Sequence, residues 1–173
     1  MENKHLTGLI AAPFTPMYAD GSLNLSLIPA YYQMLKKNKV SGAFICGSTG
    51  EGVSLTLEEK KRVAMAWADV AVGDIDFQVI TLVGGTCVAD CIDLARHAQS
   101  IGLYSVAFTA PFFFKPASVK VITAIGAEIA NSVPGMPVYY YHIPVLTGVN
   151  FPMIDLLKEA GEIENFAGIK YTY

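Results

Sequence analysis

The stretch GAFICGSTGEG, residues 42–52, joins an apolar segment typical of a buried β-strand to a glycine-rich turn. A helix-like segment, LTLEEKKRVAMAWADVAVG, follows from Leu55, with Thr56 and Glu59 at the spacing of a capping box and Gly73 at its end. Together they form one strand–turn–helix unit. The rest of the chain repeats this unit, so its size and order predict the fold.

Six segments have this apolar, strand-like composition, and their starts lie 28 to 35 residues apart, about the size of one βαβ unit. They are GLIAAPF from Gly8, GAFICG from Gly42, FQVITLVG from Phe77, SVAFTA from Ser105, VYYYHI from Val138 and FAGIKYT from Phe166. Most are near-continuous apolar runs, which suit parallel strands covered on both faces. Helix-like segments fill the gaps, so the pattern predicts an α/β fold: a doubly wound sheet or a (β/α)8 barrel.

The first unit and the chain length bear on the choice between these two folds. No dinucleotide-binding fingerprint opens the first unit, which disfavours a Rossmann-type sheet. A complete barrel needs eight strands and about 250 residues, whereas this chain has 173 residues and six predicted strands. We therefore predict a single domain over residues 1–173, a C-terminally incomplete TIM (β/α)8 barrel with about six units.

An incomplete barrel has exposed edges. Six strands would leave two sheet edges unpaired and an apolar interior open. We therefore expect the chain to be a fragment of a longer enzyme, or to assemble with something that completes it.

The composition excludes several classes of function. Hydrophobic residues make up 53% of the chain and charged residues 16%, which indicates a globular protein rather than a disordered one. A net charge of −3 without a long basic run argues against nucleic acid as a partner and gives no support for binding an anionic membrane. No apolar run reaches the roughly 18–20 residues of a spanning helix. The start, MENKHLTGLIAAPFTP, does not resemble a signal peptide, because Pro13 and Pro16 interrupt its apolar stretch.

The chain has three cysteines, an odd number that does not fit a disulfide framework. Cys87 and Cys91 lie four residues apart in a predicted helix, whereas Cys46 lies in a predicted strand. A metal site would need more ligands at closer spacing. We therefore predict reduced structural thiols and a cytoplasmic protein.

Residues 47–52, GSTGEG, follow the second predicted strand. Three glycines permit a tight turn with exposed backbone N–H groups, and Ser48 and Thr49 add hydroxyl donors, so the turn suits a carboxylate or phosphate. It is not a Walker A loop, because no Gly-Lys-Ser/Thr follows. On spacing alone, an ordinary glycine-rich β–α turn is the favoured interpretation.

The segment YYYHIP, residues 139–144, closes the fifth predicted strand. Alternation places Tyr139 and Tyr141 on one face and Tyr140 and His142 on the other. Taken alone, these residues fit a structural core, with His142 as a hydrogen-bonded structural histidine rather than a base.

Lys170 ends the last apolar run, FAGIK. Alternation places Phe166, Gly168 and Lys170 on one face, where Gly168 would leave room for the lysine stem. A charged lysine is costly to bury, and desolvation frees the amine to attack a carbonyl and form a Schiff base. The alternative is an ordinary exposed lysine at a strand end. The three segments all fall at the C-terminal ends of strands, where barrel active sites are built, and this favours a functional interpretation.

The three motifs GSTGEG, YYYHIPVLTGV and GIKYT, in this order and spacing, resemble those of the dihydrodipicolinate synthase/N-acetylneuraminate lyase family of class I aldolases. The resemblance runs from about Gly8 to the last residue. It is specific, because three separate motifs match within one barrel scaffold. It implies pyruvate chemistry through a lysine Schiff base, without a metal or an organic cofactor.

The resemblance also implies roles for individual residues. Lys170 occupies the position of the Schiff-base lysine, and Tyr141 that of the proton-shuttling tyrosine. Ser48 and Thr49 match the pair that binds the carboxylate of the pyruvate moiety. Thr172 matches a position near the substrate in the lyases.

Two departures favour the lyase branch of the family over the synthase branch. Synthases carry an arginine five residues after the catalytic tyrosine, where this chain has Leu146, and tyrosines after strand four, where it has APFFFKP with Phe113. The lyase branch implies reversible cleavage of N-acetylneuraminate, a sialic acid, to pyruvate and N-acetylmannosamine, with small molecules as partners and a homotetramer. A synthase-like pyruvate aldolase, or a non-catalytic remnant serving as an oligomerisation or interaction piece, remains an alternative.

Overall fold

A computed structural model describes residues 6–173 and contains one sheet of six parallel strands. The strands are β1 (Ile10–Ala11), β2 (Gly42–Ile45), β3 (Gln78–Leu82), β4 (Ser105–Thr109), β5 (Val138–His142) and β6 (Phe166–Tyr171). Their order across the sheet is the order in the sequence, β1 to β6. A doubly wound sheet reverses its strand order, so this sequential order excludes it. The prediction of an incomplete (β/α)8 barrel is confirmed.

Helices connect the strands. In the described residues they are α1 (Ile28–Lys37), α2 (Leu57–Ala71), α3 (Val88–Ser100), α4 (Val119–Asn131), α5 (Pro144–Thr147) and α6 (Met153–Glu159). The short α5 was not predicted. Of the helices described, none has both the length and the apolar character needed to cross a membrane. Residues 1–5, which begin the predicted domain and the segment MENKHLTGLIAAPFTP, lie outside the described residues.

The start of α2 confirms the predicted capping box. The Thr56 hydroxyl accepts a hydrogen bond from the Glu59 N–H at 3.2 Å, and the Glu59 carboxylate accepts one from the Thr56 N–H at 2.9 Å. Two backbone N–H groups that the helix cannot pair internally are thereby satisfied. This fixes where the helix starts, with four residues between the glycine-rich turn and Leu57.

The sheet separates two apolar layers. The layer between strands and helices is the larger, and its most deeply buried side chains include Trp67, Phe108 and Tyr140. The interior layer lies on the concave face, where residues from neighbouring strands meet; it comprises Phe44, Ile80, Leu82, Ala107, Tyr141 and Ile143. Tyr140 and Tyr141 lie in different layers, as the predicted alternation of β5 requires.

The pairing of β5 with β6 corrects one prediction. Val138 pairs with Phe166, but Tyr139 pairs with Gly168, so β6 has one extra residue at this point. This β-bulge moves Phe166 away from the face of Gly168 and Lys170, and Phe166 packs against the helix-side core instead. The prediction that all three share a face is therefore wrong for Phe166.

The three cysteines are free thiols. Cys46 and Cys91 are buried, and burial raises the pKa of each thiol to about 11. Little thiolate therefore exists at neutral pH, and these two residues act as small apolar side chains. Cys87 is exposed at the start of α3.

Asn165 fixes the beginning of β6. Its side-chain amide donates to the carbonyl oxygens of Ala130, Val133 and Met136 at 3.1, 3.0 and 2.8 Å. The backbone carbonyl of Asn165 accepts a hydrogen bond from the Val138 N–H at 2.9 Å. The Asn165 side chain thus satisfies carbonyls at the end of α4 and beyond it, while the Asn165 backbone pairs with β5.

We expect Asn165→Asp to lower the free energy of unfolding by about 1–3 kcal/mol, because a carboxylate cannot donate to these three carbonyls. Asn38→Asp is the matched control. Asn38 donates to a single carbonyl, that of Met34, at an exposed position, so we expect a loss below about 1 kcal/mol. Urea unfolding of both variants measures the difference. Equal losses would mean that Asn165 does not anchor β6.

Candidate active site

Lys170 and Tyr141 face each other across the last two strands. Their Cα atoms are register partners on β6 and β5, close to the C-terminal ends of both strands. Register partners in adjacent strands point to the same side of a sheet, and Tyr141 belongs to the interior layer. Both side chains therefore lie inside the barrel mouth, as predicted.

The Lys170 amine is held by two aromatic rings and a hydroxyl. Its Nζ lies 3.8 Å from the centroid of the Tyr141 ring and 5.2 Å from that of Phe44. It donates a hydrogen bond to the Thr172 Oγ1 at 3.3 Å. Lys170 is half-buried and lines a cavity of about 250 Å³ together with Phe44, Tyr139 and other interior side chains. The amine is thus oriented and still reachable by a small ligand.

Gly168 is needed for its backbone conformation. Its φ of 147° lies in a region that residues with a side chain rarely adopt. A Cβ at this position would meet the Tyr139 ring at 3.7 Å, an ordinary van der Waals distance. The predicted reason for this glycine, room for the lysine stem, is therefore wrong: its role is to permit the bulge.

Tyr141 is only 5% exposed, and its ring packs edge-on against Phe44 at 5.4 Å. Burial by itself would raise the pKa of Tyr141. Hydrogen bonding with Ser48, Lys170 and Thr172 and the charge of Lys170 outweigh burial, so the pKa lies below its ordinary value. A phenol with a lowered pKa gives up its proton more readily, which suits a general acid–base group.

The glycine-rich turn after β2 is tightly folded. A Cβ at Gly52 would collide with the carbonyl oxygen of Cys46, so this position requires glycine. The Gly52 N–H bonds the Gly47 carbonyl at 3.1 Å, and the Thr15 hydroxyl holds the Gly50 carbonyl at 2.7 Å. The turn is therefore rigid.

Ser48 and Thr49 form the exposed tip of this turn. Hydrogen bonding with Ser48 helps to lower the pKa of Tyr141. Ser48 is therefore one of three residues, with Lys170 and Thr172, that act on the Tyr141 phenol. Thr49 stays on the exposed side of the turn, outside the residues that line the neighbouring cleft. Of the five predicted site residues, the structure thus gathers four and leaves Thr49 at the margin.

A cleft of about 270 Å³ opens between the turn and the ends of β4 and β5; we call it the hydroxyl cleft. Four hydroxyl-bearing residues line it: Ser48, Thr109, Tyr141 and Thr147. The remaining lining residues are apolar apart from Gly47; they include Leu82, Phe112, Ile143 and Leu146. Sequence reasoning missed Thr109, although alternation along SVAFTA places it beside Ala107 on the interior face.

His142 lies on the opposite side of β5. It is almost fully buried, stacks on Tyr171 at 5.0 Å, and its pKa is lowered by burial. It does not face Lys170, which agrees with a structural rather than a catalytic role. Its Nδ1 has no hydrogen-bond partner among the described residues, so the predicted hydrogen bonding is not found at that nitrogen. Within residues 6–173, no three side chains of His, Cys, Asp or Glu come together as metal ligands would.

Comparison of the chain with known proteins identifies its family. The model of the dihydrodipicolinate synthetase family matches residues 5–173. The chain is 42% identical over 171 residues to N-acetylneuraminate lyase of Danio rerio and 40% identical to that of Homo sapiens. These matches cover 98% of this chain but 55% and 53% of the relatives, so the chain spans about half of their length.

Solved structures agree with the sequence matches. Proteus mirabilis N-acetylneuraminate lyase superimposes with a TM-score of 0.93 at 36% identity, over 98% of this chain and 57% of that one. Dihydrodipicolinate synthase from Aquifex aeolicus gives a TM-score of 0.88 at 26% identity, over 97% and 56%. The chain belongs to the dihydrodipicolinate synthetase family.

Proposed function

We propose that this chain carries the pyruvate half of the active site of an N-acetylneuraminate lyase-type class I aldolase. The observation that carries the proposal is the contact of Lys170 with Tyr141 and Thr172 inside the barrel mouth. The Lys170 amine lies against the ring of the acid–base group Tyr141, and Lys170 also lines a cavity of about 250 Å³. This is what Schiff-base chemistry on a small 2-oxo acid requires.

In the proposed reaction, the unprotonated Lys170 amine attacks C2 of the open-chain sugar acid, and water leaves as the imine forms. The protonated imine withdraws electrons while the C3–C4 bond breaks. The C4 hydroxyl loses its proton to Tyr141, giving the aldehyde of N-acetylmannosamine and an enamine on Lys170. Protonation of the enamine at C3, followed by hydrolysis, releases pyruvate and regenerates the amine.

The turn after β2 would bind the substrate carboxylate. Ser48 and Thr49 each offer a hydroxyl and a backbone N–H, and among the described residues neither N–H donates to another backbone carbonyl. A carboxylate bound there would direct its neighbouring carbonyl toward Lys170. Thr172 would assist by holding the amine at 3.3 Å from its hydroxyl.

Lyase chemistry is favoured over synthase chemistry by the cleft. Leu146, 61% exposed, lines the rim of the hydroxyl cleft at the position where synthases carry an arginine. The curated relatives quoted above are named as N-acetylneuraminate lyases. By the same family resemblance we infer a cytoplasmic homotetramer, with sialic acid and pyruvate as ligands.

Borohydride trapping with pyruvate tests the proposal directly. Reduction should fix a pyruvyl adduct on Lys170, located by peptide mass mapping, and Lys170→Ala should abolish it. Lys115→Ala is the control, because Lys115 is an exposed lysine; it should label as the unaltered chain does. A folded protein without an adduct on Lys170 would exclude the catalytic role and leave the non-catalytic remnant.

Tyr141→Phe separates proton transfer from imine formation. The variant keeps the ring against Phe44 and Lys170, so trapping of pyruvate should persist. Exchange of the pyruvate C3 protons with deuterium in D₂O, followed by NMR, should slow by roughly 100-fold or more, because the acid–base group is lost. Unchanged exchange would assign the base to another residue.

The pH profile of the same exchange tests the electrostatics of Tyr141. Hydrogen bonding with Ser48 lowers the pKa of Tyr141, so Ser48→Ala should raise that pKa. Because the phenolate is the base, the rise of exchange rate with pH should move to higher pH in the variant. A profile that stays in place or moves to lower pH would contradict the assigned contact.

A further inference from the structure

Thr109 carries a hydroxyl without a partner. It is the last residue of β4, only 6% exposed, and its Oγ1 makes no hydrogen bond to any described residue. Its Cα is the register partner of Tyr141, and it lines the hydroxyl cleft together with Tyr141 and Ser48. A buried hydroxyl without a partner is costly, so its presence in a functional cleft calls for an external partner.

Thr147, in the same cleft, provides the contrast. Its hydroxyl donates to the Ile143 carbonyl at 3.1 Å and accepts the Val149 N–H at 3.3 Å. The protein itself satisfies this hydroxyl, which ties α5 to the backbone on both sides. Thr109 has the same chemistry and comparable burial but no such role.

The rest of the cleft wall cannot hold a polar ligand atom by side-chain hydrogen bonds. Leu82, Ile143 and Leu146 have no polar side-chain atoms. A bound water needs two to four polar partners. Ser48, Tyr141 and Thr109 together supply three hydroxyls in a cleft of about 270 Å³.

We propose that Thr109 is a positioning residue for proton transfer by Tyr141. Its hydroxyl holds the oxygen that exchanges a proton with the Tyr141 phenol: a water when pyruvate alone is bound, the C4 hydroxyl during cleavage. With pyruvate, the phenolate takes a C3 proton from the imine, leaving an enamine, and passes that proton to the held water. The reverse path returns a solvent proton to C3. This inference rests on the proposed function.

Two substitutions at Thr109 and one at Thr147 test the proposal. Thr109→Val replaces the hydroxyl by a methyl group of similar shape. We expect trapping of pyruvate on Lys170 as in the unaltered chain, C3 exchange slower by roughly ten-fold or more, and a melting temperature that is unchanged or higher. Thr109→Ser keeps the hydroxyl and should restore most of the exchange rate.

Thr147→Val removes a satisfied hydroxyl, so the melting temperature should fall.

We expect Thr109→Val to slow exchange without lowering the melting temperature. Replacing a threonine with a purely structural role would not give this combination. The proposal is overturned if Thr109→Val exchanges within about two-fold of the unaltered chain. It is also overturned if the variant melts earlier and loses trapping and exchange together. Absence of trapping in the unaltered chain would instead refute the proposed function, and this inference with it. Normal trapping with unaffected exchange refutes the role of Thr109 alone.

Discussion

The register between β5 and β6 is the constraint on which the candidate site depends. Val138 pairs with Phe166, and an unbroken ladder from that pair would bring Ile169 opposite Tyr141 and Lys170 opposite His142, on the helix side of the sheet. The bulge at Gly168 shifts the pairing by one residue and brings Lys170 opposite Tyr141 in the interior. A single glycine with a φ of 147° thus determines to which side of the barrel wall the amine points.

Contacts on both sides of the bulge hold this register. Before it, the Asn165 side chain bonds the Ala130 carbonyl at the end of α4, and the Asn165 backbone carbonyl accepts the Val138 N–H. After it, the Thr172 N–H bonds the His142 carbonyl at 2.9 Å, while the Thr172 hydroxyl accepts from Lys170. Structural and proposed catalytic contacts therefore overlap at Thr172. The strand ends that position the amine are the same ones that keep the sheet paired.

Much of this arrangement can be predicted from the sequence, because it depends on periodic patterns among residues close together in the chain. The strand spacing, the capping box at Thr56 and the alternation of Tyr140 and Tyr141 all depend on neighbours within a few residues. The bulge does not, since FAGIK reads as a regular strand until the pairing with β5 is known. The unpartnered state of Thr109 likewise depends on which residues surround it in space, and the exposure of Thr49 depends on how the turn folds.

The proposed pyruvate chemistry needs few elements, and all of them lie within the described residues. Phe44 on β2 contacts both Lys170 and Tyr141, so β2 is linked to β5 and β6 across the interior. The turn that follows β2 is rigid in its own right through Gly52 and Thr15. Imine formation requires only the amine, a carboxylate anchor and an acid–base group in this geometry. The proposed binding of a 2-oxo acid therefore requires only residues on β2, β5 and β6 and in the segments that directly follow β2 and β6.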